Sequence, residues 1–489
     1  MDENMNLNNF EQNQPDLAQA PEAPAAPPVR RRRKRSKWQN FKEAYLPVII
    51  AGAALVLCIV FISSALGQGK TPDEPDQPVG STPPAFNQEE MLAQEAADLL
   101  ARAEALAAQY DYEAAMTLLC TYSGGINNHA ELKAKYDEYY DAFAKLVPYN
   151  NIADVPNLSF RLLMADLDRS LAHPDYGDSF NANYVTTGEF EKILHQLYDN
   201  GYMLVSIYDL APKTVDANGN VTISQGTVYL PEGKQPLVLT QVGVNYFTYI
   251  VDSDGDGLAD KDGAGFSCGL VLDENGEITS QMVDSDGSTI TGNFDLVTIL
   301  NDFIEKHPDF SYRGARATLA VTGYDGLFGY RTDPETAEKI SPEYYNQQLA
   351  DVKGVIAKLR QDGYDIACYS YDYADYASMS AAAITGDLEL WKAEVTPLLG
   401  DVDILVFPYD DIGNTNLYNG PKFEVLQEYG FCYFIRKDSS TPFWGQISSD
   451  YARMSRREVT GNLMHKSADW FDDLFDSARV LDSARGFEE

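Results

Sequence analysis

Four short stretches carry most of the side chains suited to chemistry. Residues 252–263 read DSDGDGLADKDG, with Asp252, Asp254 and Asp256 at alternate positions, Gly257 free to turn sharply, and Asp260 following. Carboxylate oxygens at that spacing suit Ca²⁺, a hard cation that takes many oxygen ligands. The twelfth position is Gly263 where an EF-hand has glutamate, and no helices are expected on either side. A structural, calcium-stapled loop between two strands is therefore expected; a plain acidic hairpin turn is the alternative. The other three stretches are PLVLTQVGVNY (236–246), CYSYDY (368–373) and VFPYDD (406–411). Each starts like a buried strand and opens into polar residues, as chains do where α/β proteins gather reacting groups. The first offers no acid, histidine or cysteine. The others supply Tyr369, Tyr371, Tyr373 and Tyr409 with Asp372, Asp410 and Asp411. With Tyr246, these phenols suit stacking on sugar faces while their hydroxyls hydrogen-bond, so Tyr246, Tyr371 and Tyr409 are candidate glycan contacts. Rings that only fill space are the competing reading.

Something must hold these strand ends together. From about residue 155 to 489 apolar runs alternate with helical periodicity. Helices are expected over 187–200, 295–306, 344–362, 387–399 and 421–429, and Gly201, Gly363 and Gly430 mark helix ends. Strands are expected at YMLVSI, PLVLT, ATLAVTGY, DIACYSY, DILVFPY and FCYFIR, with a β-rich excursion over about 245–290. That alternation gives an α/β class with a parallel sheet or barrel and its loops at one face.

The segments upstream differ in composition. Residues 87–148 show helical spacing, a tetratricopeptide-like pair plus a third helix; one repeat is too few to stack, so a stalk or docking platform is expected. Residues 68–86 are a Pro-rich linker. Residues 45–67 are an uncharged apolar run of bilayer-spanning length, longer and further from the N-terminus than a cleaved signal core. Residues 1–44 have a disordered composition and carry RRRRKR at 30–35, which sets that side in the cytoplasm and the rest outside the cell. The expected product is a single-pass cell-membrane protein, with the membrane itself as a partner. The balance of 37 basic against 74 acidic residues, a formal charge of −37, argues against nucleic acid. Five cysteines with no CxxC pair argue against thiolate zinc; buried free thiols are expected, with a Cys368–Cys432 bridge the alternative.

Taken with GYMLVSIYDL, HPDFSYRGARATLAVTGYDGLFGYRTD, DGYDIACYSYDYA and LFDSARVLDSARG, the three strand ends make residues 157–485 resemble the polysaccharide deacetylases, the NodB-homology carbohydrate esterases. More narrowly, the chain is similar to membrane-anchored members from Gram-positive bacteria. The resemblance implies a distorted (β/α)7-type barrel and a zinc-activated water that attacks an acetyl carbonyl. One aspartate and two histidines would hold the metal, and a second aspartate would act as base. In this chain the family's Thr-Phe-Asp-Asp motif falls on Thr240, Gln241, Val242 and Gly243. Its two motif histidines fall on Tyr369 and Tyr373, and its third motif is partly kept as Phe407, Pro408 and Tyr409. Valine and glycine offer no side-chain lone pair, and a neutral phenol replaces imidazole poorly. Zinc is thus expected of the family, yet its ligands are absent. His129, His173, His195, His307 and His465 lie away from these strand ends, and His465 reads as a surface residue. The expectation is a catalytically degenerate member that binds or scaffolds envelope glycan or a protein partner. The alternatives are a divergent active deacetylase with a displaced cation site at Asp372, Asp410 and Asp411, and an adaptor working through its helical domain.

Overall fold

The computed structural model describes residues 88–253, 255, 258–413, 417–438 and 440–487. The expected tail, membrane span and linker lie outside the described residues. Among the described residues no helix is long and apolar enough to cross a membrane.

Helices α1 (Gln88–Ala108), α2 (Tyr112–Leu119) and α3 (Ala130–Phe143) form the upstream unit. Asp111 caps α2 by accepting from the Ala114 amide, satisfying one of the donors a helix start leaves unpaired. Ala96, Ala103 and Ala115 let the helices close on Leu99, Leu119, Leu132 and Tyr139. Several contacts fasten this unit to the α/β region, Phe143 against Tyr229 among them. Strand Val147–Tyr149 pairs with Val228–Leu230, and Arg313 donates to Glu113 at 2.6 Å.

Seven strands then close a barrel in sequence order: β1 (Asn157–Phe160), β2 (Gln235–Val242), β3 (Thr318–Val321), β4 (Asp365–Cys368), β5 (Ile404–Val406), β6 (Tyr433–Lys437) and β7 (Ala452–Glu458). Every neighbouring pair is parallel, and Arg457 of β7 opposite Leu158 of β1 closes the ring. Strand alternation sorts the side chains. Leu237, Leu239, Ile366 and Cys368 pack outward among the helices, while Val238, Val242, Ala367, Tyr369, Val406 and Met454 pack in the lumen. The excursion after β2 holds an antiparallel sheet of Gly269–Leu272, Ile278–Val283 and Thr289–Gly292.

Several expected elements shift. The strand expected over 365–371 ends at Cys368 because Ser370 turns into the left-handed region (φ 62°). The strand YMLVSI stops at Leu204, since Ser206 caps a short helix instead. The helix expected from 387 begins at Ala381 and runs through a π turn at Trp391–Val395. Strands β1 and β7 have no counterpart in the sequence reading: one is four residues long and the other, ARMSRRE, is dominated by charge.

The far end of the chain is locked onto helix α4 (Thr187–Asp199). Arg485 donates to both carboxylate oxygens of Glu189 at 2.6 Å and to the Asn181 and Tyr184 carbonyls at 2.8 Å. Neither side chain of the Arg485–Glu189 pair is exposed.

Candidate functional site at the barrel mouth

The carboxyl ends of β1–β7 define one mouth, and its centre is held by a residue of β7. Arg456, with no exposed side-chain surface, continues the lumen-facing series Ala452 and Met454. Its Nη1 donates to Ser159 Oγ (3.2 Å) and Glu458 Oε1 (3.1 Å). Its Nη2 donates to the Phe407 carbonyl (3.1 Å), the Pro408 carbonyl (3.4 Å) and the Tyr369 hydroxyl (3.4 Å). Strands β1, β4, β5 and β7 thus meet on one guanidinium. Charge-assisted bonds of this kind are what make a buried cation tolerable.

Glu458 also accepts from Lys437 Nζ at 2.6 Å. Burial alone would raise its carboxyl pKa, but Arg456, Arg161 and Lys437 together hold it at about 2. Arg161, just past β1, lies within electrostatic reach of Tyr373, Tyr184, Glu458 and Tyr369, with its guanidinium 5.7 Å from the Tyr184 ring centroid. Tyr369, Tyr373 and Tyr409 form an edge-on series leading outward, with centroids 5.2 and 5.5 Å apart. Tyr369 is buried while Tyr373 and Tyr409 are partly exposed. Burial pushes the Tyr369 phenol well above its ordinary pKa, so it stays neutral.

The loops around this mouth are strained. Tyr246, Asp325, Phe328, Ser370 and Tyr373 all have φ between 53° and 64°, a region that costs a non-glycine residue about 1 kcal/mol or more. Side chains hold them there. The Asn245 amide bridges to the Thr322 backbone at 2.9 and 3.0 Å, and the Asp387 carboxylate accepts from the Tyr371 and Asp372 amides at 2.9 and 3.0 Å.

The motif positions converge here without making a metal site. Thr240 donates to Asn157 Oδ1 at 2.8 Å, Val242 is buried, and Gly243 adopts φ 69° with its Cβ position 3.1 Å from the Phe247 ring. Tyr369 and Pro408 are partners of Arg456 rather than ligands. No side chain at these positions is a carboxylate or imidazole, and a fixed guanidinium charge among them opposes a divalent cation, so the residues do not fit the zinc of the resembled family. Among the described residues no three His, Cys, Asp or Glu side chains group closely enough to hold a metal. The displaced carboxylates do not converge either. Asp411 pairs with Arg436 at 3.0 Å and accepts from Tyr418 at 3.0 Å, and Asp410 is exposed.

The two other candidate glycan tyrosines have different surroundings. Tyr246 is fully buried and donates to Asp295 at 2.6 Å, so it faces the core because its left-handed backbone turns the ring inward. Tyr371 is partly exposed, with its hydroxyl bonded to Glu394. In the acidic loop, Asp252 accepts from the Gly255 amide at 2.7 Å. Asp260 accepts from Ser253 (2.8 Å) and from the Asp262 amide (2.7 Å). Asp254 and Asp256 lie outside the described residues. The histidines lie on helices or at helix ends: His129, His173 and His307 cap helices, and His195 and His465 lie within them. Cys120, Cys268, Cys368 and Cys432 are free thiols.

Arg161, Lys437, Arg456 and Glu458 escaped the sequence reading. The available signal was the two-residue period of ARMSRRE, where Ala452, Met454, Arg456 and Glu458 share one face.

No protein-family model and no curated protein matches the chain. Among solved structures it is similar to the Streptococcus pyogenes deacetylase PplD in complex with acetate, at 13% identity over 65% of this chain and 95% of that one, with a TM-score of 0.31. It is also similar to the chitin deacetylase of the fungal pathogen Colletotrichum lindemuthianum, at 14% identity over 38% of this chain and 76% of that one, with a TM-score of 0.20.

Proposed function

We propose that this chain is a polysaccharide-deacetylase-like barrel whose mouth binds envelope glycan and does not hydrolyse acetyl groups. The observation that carries the reading is Arg456, whose guanidinium is bonded to Tyr369 and to the Pro408 carbonyl, at positions where the resembled family needs a metal and its ligands. Tyr373 and Tyr409 are partly exposed beside it and give a sugar ring aromatic edges and hydroxyls to contact. The barrel would stand outside the cell, anchored through residues 45–67.

The test pairs metal analysis of the purified chain with acetate release from acetylated chitooligosaccharide and peptidoglycan, alongside binding of the same sugars. Binding without acetate release is expected. Acetate release that depends on stoichiometric zinc would overturn the proposal in favour of a divergent active deacetylase.

A further inference from the structure

Cations gather at the centre of the mouth in a chain whose formal charge is −37. Arg161, Arg456 and Lys437 surround a single carboxylate, Glu458. Further round the rim the charges are matched: Arg436 faces Asp411 and Asp438, and Arg453 also lies near Asp411. At the centre two guanidinium donors have no acceptor. Arg456 Nε is buried without a partner, although the rest of that group makes five bonds. Arg161 Nε is likewise buried without a partner, while the residue as a whole is partly exposed. Buried donors left unpaired cost free energy, and native structures leave few of them.

We propose that the mouth recognises an acidic saccharide, with Arg161 as the residue that holds its oxyanion. This rests on the glycan-binding reading above and narrows it to a ligand class. A planar guanidinium fork matches the two oxygens of a carboxylate, or two of a phosphate, in a bidentate pair. Lys437, whose side chain is 43% exposed, adds a second charge at the rim. Tyr373 and Tyr409 offer the sugar ring its aromatic contact beside that fork. Glu458 is already occupied by Arg456 and Lys437, which leaves Arg161 as the cation here with no hydrogen-bonded acid. Carboxylate and phosphate share this chemistry, and the choice between them belongs to the experiment.

The full-length chain is titrated calorimetrically with oligogalacturonate, glucose 6-phosphate and neutral chitooligosaccharide. One acidic sugar should bind roughly tenfold or more tightly than the neutral one, as expected for a charge-assisted bond, and should weaken as salt rises. The tighter of the two acids identifies the oxyanion. Arg161→Gln should reduce acid binding to the neutral level and Arg161→Lys should retain part of it; circular dichroism spectra that superimpose on the parent's show that each variant is folded, even if loss of the contact with the Tyr184 ring lowers the melting temperature. If acidic and neutral sugars bind alike, or if Arg161→Gln leaves acid binding intact, the oxyanion site is overturned while glycan binding stands. If no sugar binds, both proposals fall.

Discussion

Arg456 of β7 donates to the hydroxyl of Tyr369, just beyond β4, at 3.4 Å, so two strands with three others between them around the ring on one side, and two on the other, share one buried cation at the mouth. Removing the guanidinium would leave the Phe407 and Pro408 carbonyls and Ser159 short of a donor. Arg456→Met is therefore expected to lower stability by roughly 3–5 kcal/mol, the usual loss when one member of a buried ionic network is removed. Urea unfolding measures it; a midpoint within error of the parent would show that the network contributes nothing.

Glu458 gives the mouth a pH dependence of known sign. Its folded pKa of about 2 lies below the ordinary glutamate value of 4.5. The folded state thus binds this proton more weakly than the unfolded state does. The stabilisation is fully present above about pH 4.5 and is lost as pH falls towards 2, about 3 kcal/mol in all. Glu458→Gln should flatten that part of the acid-unfolding curve. An unchanged curve would place the acid sensitivity elsewhere.

Asp365 has the opposite sign at the other end of the barrel. Burial pushes its carboxyl up to about 7, with Asp209 and Asp403 adding to the shift and the Ser206 hydroxyl, at 2.7 Å, opposing it. The folded state holds this proton more tightly, so stability falls as pH rises from about 4 through 7. Asp365→Asn keeps an acceptor for Ser206 and removes the charge. It should be more stable than the parent at pH 8, and equal or less stable at pH 4. Parallel stability profiles for the two would refute the assignment.

The Arg485–Glu189 clasp makes the C-terminal segment part of the fold. Arg485→Met strands a carboxylate with no exposed surface, at a cost of roughly 3–5 kcal/mol. Removing residues 485–489 should cost at least as much. Limited proteolysis of both variants checks this: cleavage should begin near residues 477–484, where the parent resists it.

Much of this architecture could be read in the sequence because it is written in local periods. Helices α1, α2 and α4 bury residues three and four apart, and PLVLT, ATLAV and DILV are short apolar runs that suit a strand covered on both faces. The same locality makes one property of the mouth legible without a fold: Val242 and Gly243 have no side-chain group that could ligate a cation. The acidity of the surface and the spacing of Asp252, Asp254, Asp256 and Asp260 are likewise properties of the chain alone.

The centre of the mouth was decided by tertiary structure alone. ARMSRRE reads as a solvated, charged segment, and only barrel closure against β1 shows that Arg456 is buried. A buried guanidinium is stable only where acceptors surround it, and here they come from Ser159, Tyr369, Phe407, Pro408 and Glu458, up to 297 residues away in the chain. Tyr246 makes the same point in reverse: its type suits a sugar-binding groove, but a left-handed backbone turns it onto Asp295. Side-chain type is a property of the sequence, whereas burial, partnership and direction depend on contacts between distant segments.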